Sequence, residues 1–207
     1  MSEKKLKIVV FSDYICPFCY IGFYRVEQLK ENYDLDVDWK PFEIHPETPK
    51  EGTDLNNLPF PKEYLELMKE NIKKLADDVG ITFKLTDKLS NSRMALFFSE
   101  FARKNGKFDE FHKLVFDSYW KDGQDIGDKT LLFSLAESLG FKRKEILEYI
   151  DSEEPLKELK KSLKELRKYG INGVPTFIIG EKIVVGAQPY EVFEEVIDKV
   201  LEEDLVL

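Results

Sequence analysis

Cysteine is scarce in this chain, with two among 207 residues, Cys16 and Cys19. A scaffold stapled by several disulfides is therefore excluded, and so is a second redox pair nearer the C-terminus. Histidine is as rare, represented by His45 and His112. A four-ligand zinc site would need both histidines beside both cysteines, so no metal is expected. Basic charge is in the minority, with 31 Lys and Arg against 40 Asp and Glu and a net charge of −9. Nucleic acid and anionic membrane surfaces are not expected partners, because a polyanion needs a basic face. Long apolar runs are missing as well, and none approaches the ~18 residues of a membrane span. The charged start Met1-Ser2-Glu3-Lys4-Lys5-Leu6-Lys7, followed by only Ile8-Val9-Val10-Phe11, does not read as a secretory signal. The expected location is cytoplasmic, where stable structural disulfides are rare and a C-x-x-C is more often catalytic or metal-binding. There is no internal repeat and no low-complexity linker.

What the chain does have is a full apolar complement, 43% hydrophobic and 13% aromatic, enough for a sizeable core. Residues 5–12 read as a buried strand, and a helix starts near Pro17, where a missing N–H costs nothing. Leu35, Val37, Trp39 and Pro41-Phe42 read as a second strand, which completes a βαβ unit. From about Pro59 to Ile150 the pattern turns to consecutive amphipathic helices. The first of these has Tyr64, Leu67, Met68, Ile72, Leu75 and Val79 on its apolar face. A long helix opens at Pro155, and strand signals return at Thr176–Ile179 and Ile183–Val185 around Gly180-Glu181-Lys182. A last helix starts at Pro189. The order predicts one α/β domain, residues 1–58 plus 152–207, interrupted by an all-helical insertion over 59–151.

Cys16-Pro17-Phe18-Cys19 falls where the first strand hands over to the first helix. Cysteines at i and i+3 lie one above the other on a helix, with Cα atoms roughly 5–6 Å apart, within the range a disulfide accepts. The helix N-terminus favours a thiolate on the first sulfur, so Cys16 is expected to be the attacking thiol of lowered pKa. Cys19, one turn in, is expected to be buried and to resolve. A metal pair and inert core thiols are the competing readings. A second segment, Gly173-Val174-Pro175-Thr176-Phe177, puts a proline at the head of a strand. That is an ordinary place for proline.

The two segments together resemble a known family. Asp13-Tyr14-Ile15-Cys16-Pro17-Phe18-Cys19-Tyr20-Ile21-Gly22 is similar to the active-site segment of the DsbA-like thiol:disulfide oxidoreductases of FrnE type. Val174-Pro175-Thr176-Phe177, Gly186-Ala187-Gln188 and Trp39-Lys40-Pro41-Phe42-Glu43 resemble later signatures of that branch. The resemblance implies a thioredoxin-like fold interrupted by a helical insertion domain. It implies a cis-proline loop at Pro175 facing the cysteines, and disulfide exchange without a cofactor. Pro17, Phe18, Val174, Thr176 and Gln188 are the expected substrate contacts, and Val174 is expected to pair with an extended substrate segment. The strong oxidant of the superfamily carries His where this chain has Phe18, so a milder potential is expected here.

The expected partner is a protein or small-molecule thiol or disulfide, with glutathione one candidate. Two alternatives remain. One is a glutathione-dependent isomerase or transferase on the same fold, and the other is a non-enzymatic binding or chaperone module. Asp13 reads as a loop aspartate or a proton relay. Ser90, Asn91, Ser92 and Arg93 read as a helix cap or as contacts to a ligand between lobes. Phe18 and Tyr20 read as a docking patch or as closing the lobe interface.

Overall fold

The computed structural model describes residues 5–55 and 61–205. β1 (Leu6–Ser12) and β2 (Leu35–Pro41) run parallel, with Val10 beside Trp39 and Ser12 beside Pro41. Parallel strands need a crossover of a dozen or so residues, and α1 (Pro17–Lys30) supplies it. Near the other end of the chain, β5 (Thr176–Ile179) and β6 (Lys182–Val185) form a hairpin, and β5 pairs antiparallel with β1. The sheet order is β2-β1-β5-β6, so strands distant in sequence share one sheet. Gly180 turns the hairpin at φ 57°, where a Cβ would also lie 2.9 Å from Val200. Glycine alone meets both demands without strain.

Strand alternation divides the apolar residues between two faces. Ile8, Val10, Phe177 and Ile179 meet α1 and α8 (Tyr190–Leu205) through Val26, Leu29, Phe193 and Ile197. Phe11 and Ile178 face the other way, onto Leu166 of α7 (Glu154–Lys168). Ser12 has the parity of Ile8 and Val10, so it points toward the α1 side.

Between β2 and α7 lie β3 (Thr53–Asp54), α2 (Lys62–Asp78), β4 (Lys88–Leu89), α3 (Arg93–Lys104), α4 (Phe108–Trp120), α5 (Lys129–Ser138) and α6 (Arg143–Ile150). α3 packs against α4, α5, α6 and α7. Phe98, Phe111 and Phe116 are fully buried there, and one apolar core runs unbroken from the sheet into the helices. The expected division at residues 58/59 lies outside the described residues. The division at 151/152 falls in the turn between α6 and α7, and α7 touches both β2 and α3.

Two details depart from the sequence pattern. β3 and β4 pair across only two residues each, too short to carry an alternation. Leu67, expected inward, is 66% exposed. Of the expected apolar face Met68, Ile72, Leu75 and Val79 pack inward, with Ile21 of α1 among their partners, and the Tyr64 side chain lies outside the described residues. Among the described residues no helix is long and apolar enough to cross a membrane.

Candidate active site

Cys16 is the N-cap of α1 and Pro17 its first residue. The Cys16 carbonyl accepts from Cys19 N–H at 3.0 Å and Tyr20 N–H at 3.2 Å, closing the first turn. Both thiols are free. Cys16 is 5% exposed and Cys19 is wholly buried. The Cys16 thiol donates to Val174 O at 3.6 Å, and the Val174–Pro175 bond is cis. Two segments 158 residues apart in sequence therefore meet at one sulfur.

The proline loop is held by its own backbone. Pro175 O accepts from Gly186 N–H at 2.8 Å. Thr176 is buried, and its hydroxyl donates to Gly173 O. The Gln188 amide donates to Val185 O. Neither Thr176 nor Gln188 lines the cavity beside Cys16. Both side chains bond carbonyls of the loop and hairpin. Gly22 explains how α1 approaches this loop. A Cβ there would lie 2.9 Å from Phe177 Cζ and 3.5 Å from Pro175 Cγ. Gly22→Ala is accordingly expected to cost about 1–3 kcal/mol of stability through overpacking. Urea denaturation would show it, and an unchanged midpoint would mean that α1 can shift away from Pro175 freely.

Burial pushes the Cys19 thiol well above its usual range, and the adjacent Cys16 sulfur adds to the rise. The Asp13 backbone N–H and the Ser12 hydroxyl oppose it. Asp13 lies between the cysteines and the segment after β2. Its carbonyl accepts from Cys16 N–H at 3.2 Å. Its carboxylate accepts from Ile44 N–H at 2.8 Å and Ile15 N–H at 3.5 Å. Burial, with a small push from Glu43, raises its pKa to about 6 despite the backbone donors and Ser92.

Tyr14 anchors the same loop in the helical region. Its carbonyl accepts from Trp120 Nε1 at 2.8 Å. Its hydroxyl meets Ser99 Oγ and, at 2.7 Å, His112 Nδ1. The proton positions follow from one constraint. Ser99 donates its only hydrogen to Ala95 O, so Tyr14 must donate to Ser99 and accept from His112 Nδ1–H. Nε2 of His112 is then an acceptor, and it has no hydrogen-bond partner. Burial, with Arg103 and Lys30 adding to it, holds this imidazole neutral well below its usual pKa. His112 is committed to Tyr14, whereas His45 lines the cavity beside Cys16 and pairs with Glu47. Among the described residues no His, Cys, Asp or Glu cluster could hold a metal.

A cavity of ≈ 270 Å³ opens beside Cys16, bounded by Pro17 and Phe18 and by Met68, Ile72 and Leu85. Lys69, Lys84 and Asp87 are charged residues of its lining, and the Lys84 ammonium donates to Asp122 O. Phe18 is half-buried and belongs to this wall. Tyr20 does not, since it is 1% exposed, donates to Asp117 and packs edge-on against Phe83. It closes the contact between α1 and α4. The Ser90–Arg93 cluster is structural too. Ser90 donates to Asp125, Asn91 to Thr48 O, and Arg93 forks onto Glu43. The sequence assigned no role to Ser12 or to the Tyr14 hydroxyl. Ser12 alone carried a signal, a hydroxyl at an inward position of an apolar strand.

A mixed sheet of order β2-β1-β5-β6, a dithiol at the start of α1 and a cis-proline loop facing it define a thioredoxin-like protein of mixed α/β class. The chain belongs to the family of the DSBA-like thioredoxin domain, whose model matches residues 7–198. It is 31% identical over 193 residues to the uncharacterized protein YwbO of Bacillus subtilis (strain 168), covering 92% of this chain and 94% of that one. Its fold is similar to that of a probable DsbA oxidoreductase from Streptomyces coelicolor, with a TM-score of 0.84 at 22% identity, covering 96% of this chain and 91% of the other. It is also similar to a 2-hydroxychromene-2-carboxylate isomerase, with a TM-score of 0.81 at 17% identity over 97% and 98% of the two chains.

Proposed function

We propose that the protein is a thiol–disulfide oxidoreductase in which Cys16 attacks and Cys19 resolves. The observation that carries it is the meeting of the Cys16 sulfur with the Val174–Pro175 loop at the edge of a ligand-sized cavity. In the reductive direction Cys16 sulfur attacks a substrate disulfide, and one substrate sulfur leaves as a thiolate. Cys19 then attacks the Cys16 sulfur of the mixed disulfide, and the second substrate sulfur leaves with the bonding pair. The oxidative direction is the reverse. Cys16, 5% exposed against Cys19 at zero, is the sulfur a substrate reaches first. Pro17, Phe18, Val174, Thr176 and Gln188 are the substrate contacts in this scheme, with Pro175 setting the approach. The exchange needs no metal or organic cofactor. Its setting is the cytoplasm, where a lone C-x-x-C is catalytic more often than structural.

A second function, glutathione-dependent isomerisation or transfer, is favoured by one feature. The cavity has the size of a small molecule, and Lys69 in its lining suits a carboxylate. The second cysteine weighs against it.

Equilibration of the wild-type chain in glutathione buffers of graded potential tests the proposal. A reversible two-electron couple at Cys16–Cys19 is the expected result, and its value against the cytosolic poise gives the favoured direction. A pair that never cycles, together with glutathione-saturable isomerase activity, would replace the first function with the second.

A further inference from the structure

α7 carries opposite charges on its two flanks. Glu154, Glu158 and Glu165 follow at i, i+4 and i+11 along one of them. That flank is turned to α3. Glu154 pairs with Lys104, and Glu158 and Glu165 line a cavity with Arg103 and Lys40. Leu156, Lys160, Leu163, Lys164 and Arg167 follow at i, i+4, i+7, i+8 and i+11 along the other flank. Its cations are exposed, and among the described residues Lys160, Lys164 and Arg167 make no ion pair. Their neighbours Lys157 and Lys161 do, with Glu153 and Glu158. A chain of net charge −9 thus keeps three unpaired cations together on one helix face.

The sheet beside this flank is bare. α7 rests on it through Leu166, which packs with Phe11 of β1 and Ile178 of β5. Its further contacts are with β2 and α3, so the acidic flank covers the β2 side and the basic flank looks toward β6. Register puts Ile183 beside Ile178 and Val185 beside Thr176, which turns both to the α7 side. Ile183 is 42% exposed and Val185 50%, and Leu156 on the basic flank is 40% exposed. Apolar side chains and unpaired cations therefore adjoin. Both walls of this face lead to the site. Ile171 and Val174, which follow α7, pack in the cluster of Leu166. Gly186, which follows β6, donates to Pro175 O. Val174 O in turn holds the Cys16 thiol.

We propose that the face between α7 and β6 docks an extended acidic segment of a partner protein and so brings the partner's disulfide or cysteine to Cys16. This rests on the exchange function proposed above and names its substrate class. The segment lies along β6, with apolar side chains on Ile183 and Val185 and carboxylates toward Lys160, Lys164 and Arg167. Its length follows from the helix. Lys160 and Arg167 are seven residues apart, about 10 Å along the axis, which spans roughly three residues of extended chain. A small disulfide such as oxidised glutathione needs no such length and reaches Cys16 without this face. Nucleic acid and anionic membranes present charge over a wider area, where the net −9 of the chain repels them. A short acidic segment feels chiefly the charges within a Debye length, about 8 Å at physiological salt, and those nearest to it are cations.

The test uses the full reduced protein and two peptide disulfides of the same apolar residues, one with aspartates near the cysteine and one with lysines. Each single-turnover rate is divided by the rate with free dithiothreitol, which removes the effect of the flanking charges on the disulfide itself. The acidic peptide should be favoured at least about tenfold at low salt, and added salt should erode the preference. Lys160→Glu, Lys164→Glu and Arg167→Glu combined should invert it. The matching glutamine changes should abolish it, and serve if the glutamate variant folds poorly. Ile183→Thr with Val185→Thr should slow both peptides alike and leave their ratio unchanged. Hydroxyethyl disulfide, small and neutral, reads the thiols without the docking face. Equal corrected rates for the two peptides in wild type, with hydroxyethyl disulfide still reduced, overturn the docking face alone. So does a preference that neither set of charge changes alters. A wild-type dimer that the charge reversal dissociates overturns it as well, since the face would then join two copies of this chain. Failure to reduce either peptide or hydroxyethyl disulfide sinks the exchange function itself, and the docking face with it.

Discussion

Cys16→Ser is expected to reduce disulfide exchange to the uncatalysed rate, while Cys19→Ser is expected to accumulate a stable mixed disulfide with substrate. The asymmetry follows from geometry. A serine oxygen at position 16 is neither ionised at neutral pH nor able to join a disulfide. Cys19 lies wholly buried one turn further on, so substrate sulfur reaches it only by way of Cys16. Removing Cys19 leaves the first attack intact and removes the intramolecular step that competes with substrate release. Mass spectrometry of each variant after incubation with a peptide disulfide reads both outcomes. Both changes shorten a side chain by little, and stability should fall by no more than about 1–2 kcal/mol. A mixed disulfide on Cys19 in the Cys16→Ser variant would reverse the assignment of the two thiols.

The mixed α/β thioredoxin-like class was legible because it is written in local patterns. The β1 run, the C-x-x-C at the start of α1 and the proline ahead of β5 each show within a few residues, and their order does the rest. The environment of the site was not legible, because it is made by contacts of large sequence separation. Tyr14 meets Ser99 and His112 across 85 and 98 residues, and no period in the sequence announces such a meeting. Thr176 and Gln188 lie in the right segment, but their side chains turn to backbone carbonyls within three residues. A motif gives the neighbourhood of a residue and leaves its rotamer open. Leu67 fails for the same reason in another form. Helical periodicity gives the direction of an apolar face, whereas the width of the buried stripe depends on how many neighbours arrive.

Asp13→Asn is expected to raise stability at pH 7 by about 1–3 kcal/mol and to flatten its dependence on pH. The carboxyl has a folded pKa raised from 3.8 to about 6, with burial the largest cause. A group raised in this way binds its proton more tightly folded than unfolded. Between pH ~4 and ~6 the folded state keeps a proton that the unfolded state has released, so its contribution to stability falls as pH rises through that window. Above the window the loss is complete, about 3 kcal/mol for roughly two units at 1.36 kcal/mol each. Asparagine keeps an acceptor for Ile44 N–H and removes the charge. Its new N–H₂ needs partners, of which Ser92 is one, and this sets the lower end of the range. The gain should vanish near pH 4, where Asp13 is protonated and resembles asparagine. Urea titrations of both proteins at pH 4, 5, 6 and 7 measure the difference directly. Loss of stability in the asparagine variant at pH 7, with an unchanged slope against pH, would show that the Ile44 and Ile15 N–H groups hold the carboxylate more firmly than burial opposes it. Arg93 gives an independent handle on the same balance. It forks onto Glu43, whose charge pushes Asp13 upward. Arg93→Ala leaves that charge unpaired, so it should move the pH window further up, where Asp13→Asn alone abolishes it.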